Sequence, residues 1–165
     1  MPVPLPSFSP DGSLIAINNT LDCNLKLISW NIAGLSPKLS DPDWLSFSKQ
    51  WDIILFQETW NISYPHIDGY KTFHSPAIPS VRGRASGGLA ILVAVNIGLP
   101  IDIIPTHSPY LQGIVLNAWD DKLLHIYNIY NCPTKNRGDT DVLTLLKSYL
   151  PSVRVDKLIL IGGDF

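Results

Sequence analysis

Short apolar runs, each about the length of a β-strand and each closed by a turn or a polar residue, recur along this chain and constrain its fold more than any other feature. They are Leu25–Trp30, Ile53–Phe56, Gly88–Val95, Ile101–Ile104, Gly113–Trp119, Leu123–Tyr130 and Lys157–Ile161. Their brevity and their Ile, Val, Leu and Tyr content favour strands over helices. Two segments have helical character instead. Asp41–Gln50 opens on Asp-Pro-Asp, which suits an N-terminal cap, and Asp139–Leu150 places Val142, Leu145, Leu146 and Tyr149 at helical spacing before Pro151. Loops are expected at Ser75–Ser86 and Asn131–Gly138, which hold Pro, Gly and Arg. Strands outnumber helices, and a sheet with one apolar face must bury it, so the expected class is α/β (α+β), a two-sheet β-sandwich flanked by helices.

Composition supports one buried core. Charged residues are 16% of the 165 and hydrophobic residues 45%, against about 25% charged in ordinary soluble domains. Residues 1–23 carry turn-forming Pro, Ser, Asn and Asp without sustained periodicity and are read as a flexible leader, with the domain spanning 24–165. The leader has no basic segment followed by a long apolar run, so it is not a secretory signal, and no run reaches the roughly 18 apolar residues of a membrane span. Cys23 and Cys132 lack the paired spacing of a zinc site and are read as reduced thiols. Net charge is −2, so electrostatics alone does not point to nucleic acid.

Several apolar runs end in polar residues that a buried strand does not need: Asn31 after Trp30, Gln57-Glu58 after Phe56, Tyr130-Asn131 after Ile129, and Asp164 after Gly162-Gly163. Strands lying side by side with their C-terminal ends together would gather these groups on one rim. Oxygen donors of that kind suit a hard cation such as Mg2+, which needs only one or two protein carboxylates beside water and phosphate. Phosphoryl chemistry follows naturally from such a set. Taken singly, a polar residue at a strand end is more often a loop-facing or turn-capping group than a ligand.

An ordered series of segments then narrows the reading. Ser29-Trp30-Asn31-Ile32-Ala33-Gly34-Leu35, Gln57-Glu58-Thr59-Trp60, Ser86-Gly87-Gly88-Leu89-Ala90-Ile91, Tyr127-Asn128-Ile129-Tyr130-Asn131-Cys132-Pro133 and Gly162-Gly163-Asp164-Phe165 together resemble the endonuclease/exonuclease/phosphatase superfamily. Within it, Gln-Glu-Thr-Trp and Gly-Gly-Asp-Phe look most like the endonucleases of LINE-type non-LTR retrotransposons. The resemblance implies a four-layer DNase I-like fold and Mg2+-dependent cleavage of a DNA target strand. It implies Glu58 as principal metal ligand, Asn31 beside it, Tyr130 on the scissile phosphate and Asp164 on the attacking water. Arg82 and Arg84, before the Ser86-Gly87-Gly88 segment, are candidate DNA phosphate contacts; Lys135 and Arg137 are weaker ones.

The same resemblance implies a reverse transcriptase domain in the full-length element, a nuclear location and no membrane association. It also marks departures. Relatives carry an acid two residues after the asparagine, where this chain has Ala33, and they continue beyond Gly-Gly-Asp-Phe with further catalytic elements. The 165 residues are therefore expected to lack the C-terminal part of the fold and to show little nuclease activity alone. The strand Lys157–Ile161 is expected to be central with one apolar side uncovered, and the chain to be poorly soluble. Phosphoesterase action on inositol phosphates or lipids is the alternative within the same fold, and a non-catalytic relic the alternative outside it. His66, His74, His107 and His125 fall outside the matched segments and receive no catalytic role; Trp30 and Trp119 are expected in the core, and Trp60 either in packing or at the substrate groove.

Overall fold

A computed structural model of the chain describes residues 13–16, 25–117, 122–131, 141–150 and 157–164. Nine strands and two α-helices are formed among them: β1 Ser13–Ala16, β2 Lys26–Asn31, α1 Pro42–Ser48, β3 Ile53–Gln57, β4 Tyr70–Ser75, β5 Leu89–Ala94, β6 Ile101–Ser108, β7 Leu111–Asn117, β8 Leu123–Tyr130, α2 Val142–Tyr149 and β9 Lys157–Asp164. One sheet has the order β1-β2-β3-β5-β4 and the other β6-β7-β8-β9. Both are mixed: β2 and β3 run parallel in the first, β8 and β9 parallel in the second, and the remaining pairs are antiparallel.

Alternation along each strand sends successive side chains to opposite faces, and the burial follows it. Leu27, Ile53, Leu55, Ile91 and Val93 of the first sheet meet Ile114, Leu116, Leu124, Ile126 and Leu160 of the second in the central core. On the far side of the first sheet, Ile28, Ile54, Phe56 and Leu92 pack under Trp44 of α1. On the far side of the second, Leu111, Tyr127 and Ile129 pack under Val142 and Leu146 of α2. Helix, sheet, sheet, helix is the expected four-layer sandwich. Burying each large aliphatic side chain contributes roughly 1.5–3 kcal/mol, so the inner core dominates cohesion.

Helix α1 starts where the sequence placed a cap, and α2, expected from Asp139, has its cap at Asp141. Asp41 accepts from the amides of Asp43 and Trp44 with Pro42 in the first turn, and Asp141 accepts from the amide of Thr144. Each is then stapled to its sheet by tyrosines. The Tyr70 hydroxyl on β4 donates to the carbonyls of Ser48 and Trp51 behind α1. Tyr127 donates to the Tyr149 carbonyl, and Tyr149 donates to that of Thr106. Burial, and next to it the charge of Asp52, pushes the Tyr70 phenol up to about 12, and burial likewise raises that of Tyr127.

The structure corrects the sequence reading at several elements. Ser13–Ala16, inside the stretch expected as leader, pairs antiparallel with β2 and forms an edge strand, because a short apolar tetrapeptide can complete the open side of a parallel pair; the rest of residues 1–23 lies outside the described residues. The strand β4 was not expected at all: Tyr-Lys-Thr-Phe-His-Ser has no aliphatic run, and only its pairing with β5 makes it a strand. Strand β6 continues past Ile104 to Ser108 through an irregularity in its pairing with β7. Strand β9, expected to be central, lies at the edge of its sheet, paired among the described residues with β8 alone, and Ile159 on it is exposed. The Ser75–Ser86 loop is partly ordered by an isolated bridge between Ile78 and Ser86. Trp30 packs against Phe47 and Phe56 on the α1 side. Trp119, Cys23, Cys132, Lys135, Arg137 and most of the loop after Asn131 lie outside the described residues.

Candidate active site

Two parallel pairs, one in each sheet, determine where the polar strand ends fall. Asn31 is level with Gln57 on the β2–β3 pair, and Tyr130 is level with Asp164 on the β8–β9 pair. Asn31 shares the inward parity of Leu27, Gln57 that of Ile53 and Leu55, Tyr130 that of Leu124 and Ile126, and Asp164 that of Leu160. Four strands therefore deliver their last inward residues to the same end of the sandwich, and the residue after Gln57 is Glu58.

At that rim the two sheets are joined by side chains. The Tyr130 hydroxyl donates to Glu58 Oε1 at 2.5 Å, and Asn31 Nδ2 donates to Asp164 Oδ2 at 2.8 Å. The second oxygen of Glu58 accepts from the indole N–H of Trp60 at 3.2 Å, and Asn31 Oδ1 accepts from the Ala33 amide. Asn31, Glu58, Tyr130 and Asp164, the four residues expected to be catalytic, are thus brought together as two linked pairs. Each pair spans both sheets.

Backbone strain is concentrated at this place. Glu58 and Trp60 both sit in the left-handed region, at φ 52° and 56°, as does Ala33 at 47°. Non-glycine residues there cost about 1–3 kcal/mol each and persist only where surroundings over-determine them. The surroundings here are a ladder of turn hydrogen bonds: Gly34 N to Glu58 O, Leu35 N to Thr59 O, Thr59 N to Gly88 O and Trp60 N to Gly87 O. Gly88 itself needs φ +86° and leaves no space for a side chain, since a Cβ would lie 2.5 Å from Thr59 Oγ1. The Ser-Gly-Gly segment therefore serves to grip the Glu58 turn.

Beneath the rim lies a buried polar layer in which Gln57, expected on the rim itself, meets Asn128, which the sequence did not single out. Asn128 is 0% exposed and Gln57 1%. Gln57 Nε2 donates across the sandwich to Asn128 Oδ1 at 2.6 Å and within its sheet to Ser29 Oγ at 3.1 Å, while Asn128 Nδ2 donates to the carbonyls of Phe56 and Ala90. A neighbouring necessity is Gly162. A Cβ there would lie 2.6 Å from Leu55 Cδ1, and one on Gly163 would lie 2.2 Å from the Ile129 carbonyl oxygen. Gly162 lets β9 lie close to the facing sheet, where Asp164 reaches Asn31, and Gly163 lets it pair closely with β8. The available signal was polar residues at inward-facing positions of otherwise apolar strands, legible only once the facing sheet is known.

Of the two arginines expected at the site, Arg84 lies over the Trp60 ring, 3.7 Å from its centroid. Arg82 is exposed, and its backbone bonds with Ser80. His66 pairs with Asp68 on the surface, His74 bonds the Asn61 carbonyl, and His125 lies on β8 away from the rim. Among the described residues no group of three His, Cys, Asp or Glu side chains converges, and no helix is long and apolar enough to cross a membrane.

The donor set fits a hard cation in kind. Two carboxylates, a carboxamide oxygen and a phenol meet at the rim, with no nitrogen or sulfur ligand among them, and each carboxylate oxygen keeps a second lone pair beyond its hydrogen bond. Glu58 and Asn31 are the residues that would hold it.

A sandwich of two mixed sheets between helices, with this rim, defines the DNase I-like class of fold. By shape the chain is similar to the endonuclease domain of TRAS1, a telomere-specific non-LTR retrotransposon, with TM-score 0.54 and 16% identity over 84% of this chain and 57% of that one. It is similar to TDP2 of D. rerio, solved with a single-strand DNA product, at TM-score 0.53 and 17% identity over 85% and 60%. An endonuclease/exonuclease/phosphatase family protein from Leptotrichia buccalis C-1013-b gives TM-score 0.52 and 16% identity over 86% and 66%. The chain spans 57–66% of the length of these structures. Compared by sequence, it matches no family model and no curated protein. The likeness first drawn from five short segments holds at the level of the fold.

Proposed function

We propose that this rim belongs to a magnesium-dependent phosphodiesterase site that cleaves DNA, of the type carried by non-LTR retrotransposon endonucleases. The observation that carries the reading is the Glu58 carboxylate, held between the Tyr130 hydroxyl and the Trp60 indole beside the Asn31–Asp164 pair. A bound Mg2+ would polarise a phosphoryl oxygen and offset charge developing on it. The chain's own residues supply the rest. Glu58, oriented by two donors on a strained turn, presents a fixed carboxylate. Asn31 engages one oxygen of Asp164, leaving Oδ1 as acceptor for a proton of the attacking water, a role set by geometry before pKa. The Tyr130 hydroxyl, which donates to Glu58 Oε1 in the free chain, would donate to a phosphate oxygen of the substrate instead. In the full-length element the partner is a reverse transcriptase domain and the compartment that of the DNA target, the nucleus.

Because the chain spans little more than half of the TRAS1 domain, metal binding tests the reading more directly than turnover. Mn2+ binding to the purified chain, followed by electron paramagnetic resonance and competed with Mg2+, is expected to be lost in Glu58→Gln and weakened in Asn31→Ala. Equal binding by wild type and Glu58→Gln would remove the basis of the proposal. Plasmid nicking by the chain, if detected, is expected to need Mg2+ and to vanish in Glu58→Gln.

A further inference from the structure

Trp60 lies two residues past Glu58 in the same strained turn, its amide held by the Gly87 carbonyl at 3.0 Å. Gly34 backs the ring closely: a Cβ there would come within 2.7 Å of indole Cε3. The edge N–H of the ring is committed to Glu58 Oε2. Over the ring sits the Arg84 guanidinium at 3.7 Å from the centroid. Gly34, Trp60 and Arg84 therefore form a tier whose indole edge touches the principal site carboxylate.

Arg84 is exposed, and among the described residues its charge has no acidic partner; the ion pair formed there is His66 with Asp68. Its position is determined by the face of an aromatic ring, which leaves the planar fork of donors unspent. A guanidinium that is localised but not neutralised, beside a carboxylate site and on a chain of net charge −2, is arranged to receive an anion. Stacking removes part of the freedom that an arginine would otherwise lose on pairing with phosphate. Arg82, two residues earlier, has no such support.

We infer that Arg84, held on Trp60, binds a backbone phosphate of the DNA strand next to the scissile one, and that Trp60 is a positioning residue tying this contact to Glu58. The inference rests on reading the rim as a phosphodiester site, but it concerns binding and can be tested without turnover.

The test is fluorescence anisotropy of a labelled single-stranded deoxyoligonucleotide titrated with the chain in EDTA over a series of salt concentrations. Arg84→Ala is expected to weaken binding and to reduce the slope of log affinity against log salt by about 0.7, one phosphate contact on a single strand. Trp60→Leu is expected to give the same loss, with no further loss in the double variant, whereas Lys49→Ala, beyond α1 on the far layer, leaves the slope unchanged. Trp60→Phe keeps a ring under Arg84 and is expected to preserve the slope while weakening Mn2+ binding, because only the indole N–H to Glu58 is gone. Far-ultraviolet circular dichroism verifies that each variant is folded, and should Trp60→Leu unfold, Arg84→Ala and Trp60→Phe decide. No binding by wild type, an unchanged slope in Arg84→Ala, or a folded Trp60→Leu with wild-type slope overturns the inference. Since no divalent cation is present, failure to hydrolyse DNA leaves this result standing, and an unaltered slope beside intact metal binding removes this inference alone.

Discussion

Replacing Asn128 by Leu tests whether the buried carboxamide layer holds the two sheets in the spacing that the rim requires. Leucine keeps the branching and heavy-atom count of asparagine and is somewhat larger, so the change removes hydrogen bonding without leaving a cavity. It removes the bond from Gln57 Nε2 and the two bonds to the carbonyls of Phe56 and Ala90. Gln57 Nε2 keeps Ser29 Oγ and the Leu55 carbonyl, so its loss is partial, whereas both carbonyls lose a fully buried donor. A neutral bond contributes about 0.5–1.5 kcal/mol net, so the three lost bonds together cost roughly 1.5–4.5 kcal/mol. Making Gln57→Leu as well removes both partners of the crossing bond, and the double variant is expected to be at least about 1 kcal/mol less destabilised than the sum of the singles. Urea unfolding followed by circular dichroism measures all three differences. A single Asn128→Leu variant within about 0.5 kcal/mol of wild type, or strict additivity in the double, would refute the reasoning.

Gly162→Ala is expected to lower stability by about 1–3 kcal/mol, because the new Cβ meets Leu55 Cδ1 at 2.6 Å; thermal unfolding monitors it, and a neutral effect would mean that β9 can move outward freely. Tyr70→Phe removes the two hydroxyl bonds that hold the end of α1 and is expected to cost about 1–2 kcal/mol, with amide exchange rising first in α1; unchanged exchange there would contradict the staple. The pH dependence follows from His125, whose ring nitrogens are buried without partners and whose pKa is lowered below 6.5 by burial first and Lys157 second. His74 is lowered as well, by burial. With folded values below unfolded ones, the unfolded chain binds more protons as pH falls below about 6.5, so stability is full above that pH and declines as pH falls toward the folded values. Urea unfolding at stepped pH is expected to show this decline and His125→Leu to flatten part of it; an identical slope in that variant would exclude His125 as a source.

What the sequence determined alone was mostly local. Aliphatic runs of strand length, the Asp41 cap, the helical spacing of Val142, Leu145, Leu146 and Tyr149, and the motif residues Asn31, Glu58, Tyr130 and Asp164 were all legible because each depends on period, cap chemistry or a short recognisable segment. Strand β4 was not legible, since Tyr-Lys-Thr-Phe-His-Ser has neither an aliphatic run nor a strict alternation and becomes a strand only against β5, and β1 was hidden in a stretch that reads as turns. Tertiary structure alone decided that two parallel pairs from different sheets would end at one rim, that Gln57 and Asn128 would meet across the core, and that Trp60, bonded to Glu58, would carry Arg84 on its ring. Those facts depend on which sheet faces which, and at what distance. A sequence reports the inward parity of each strand it makes legible, but the partner each inward side chain meets is set by packing the two faces together, where Gly162 permits the close approach.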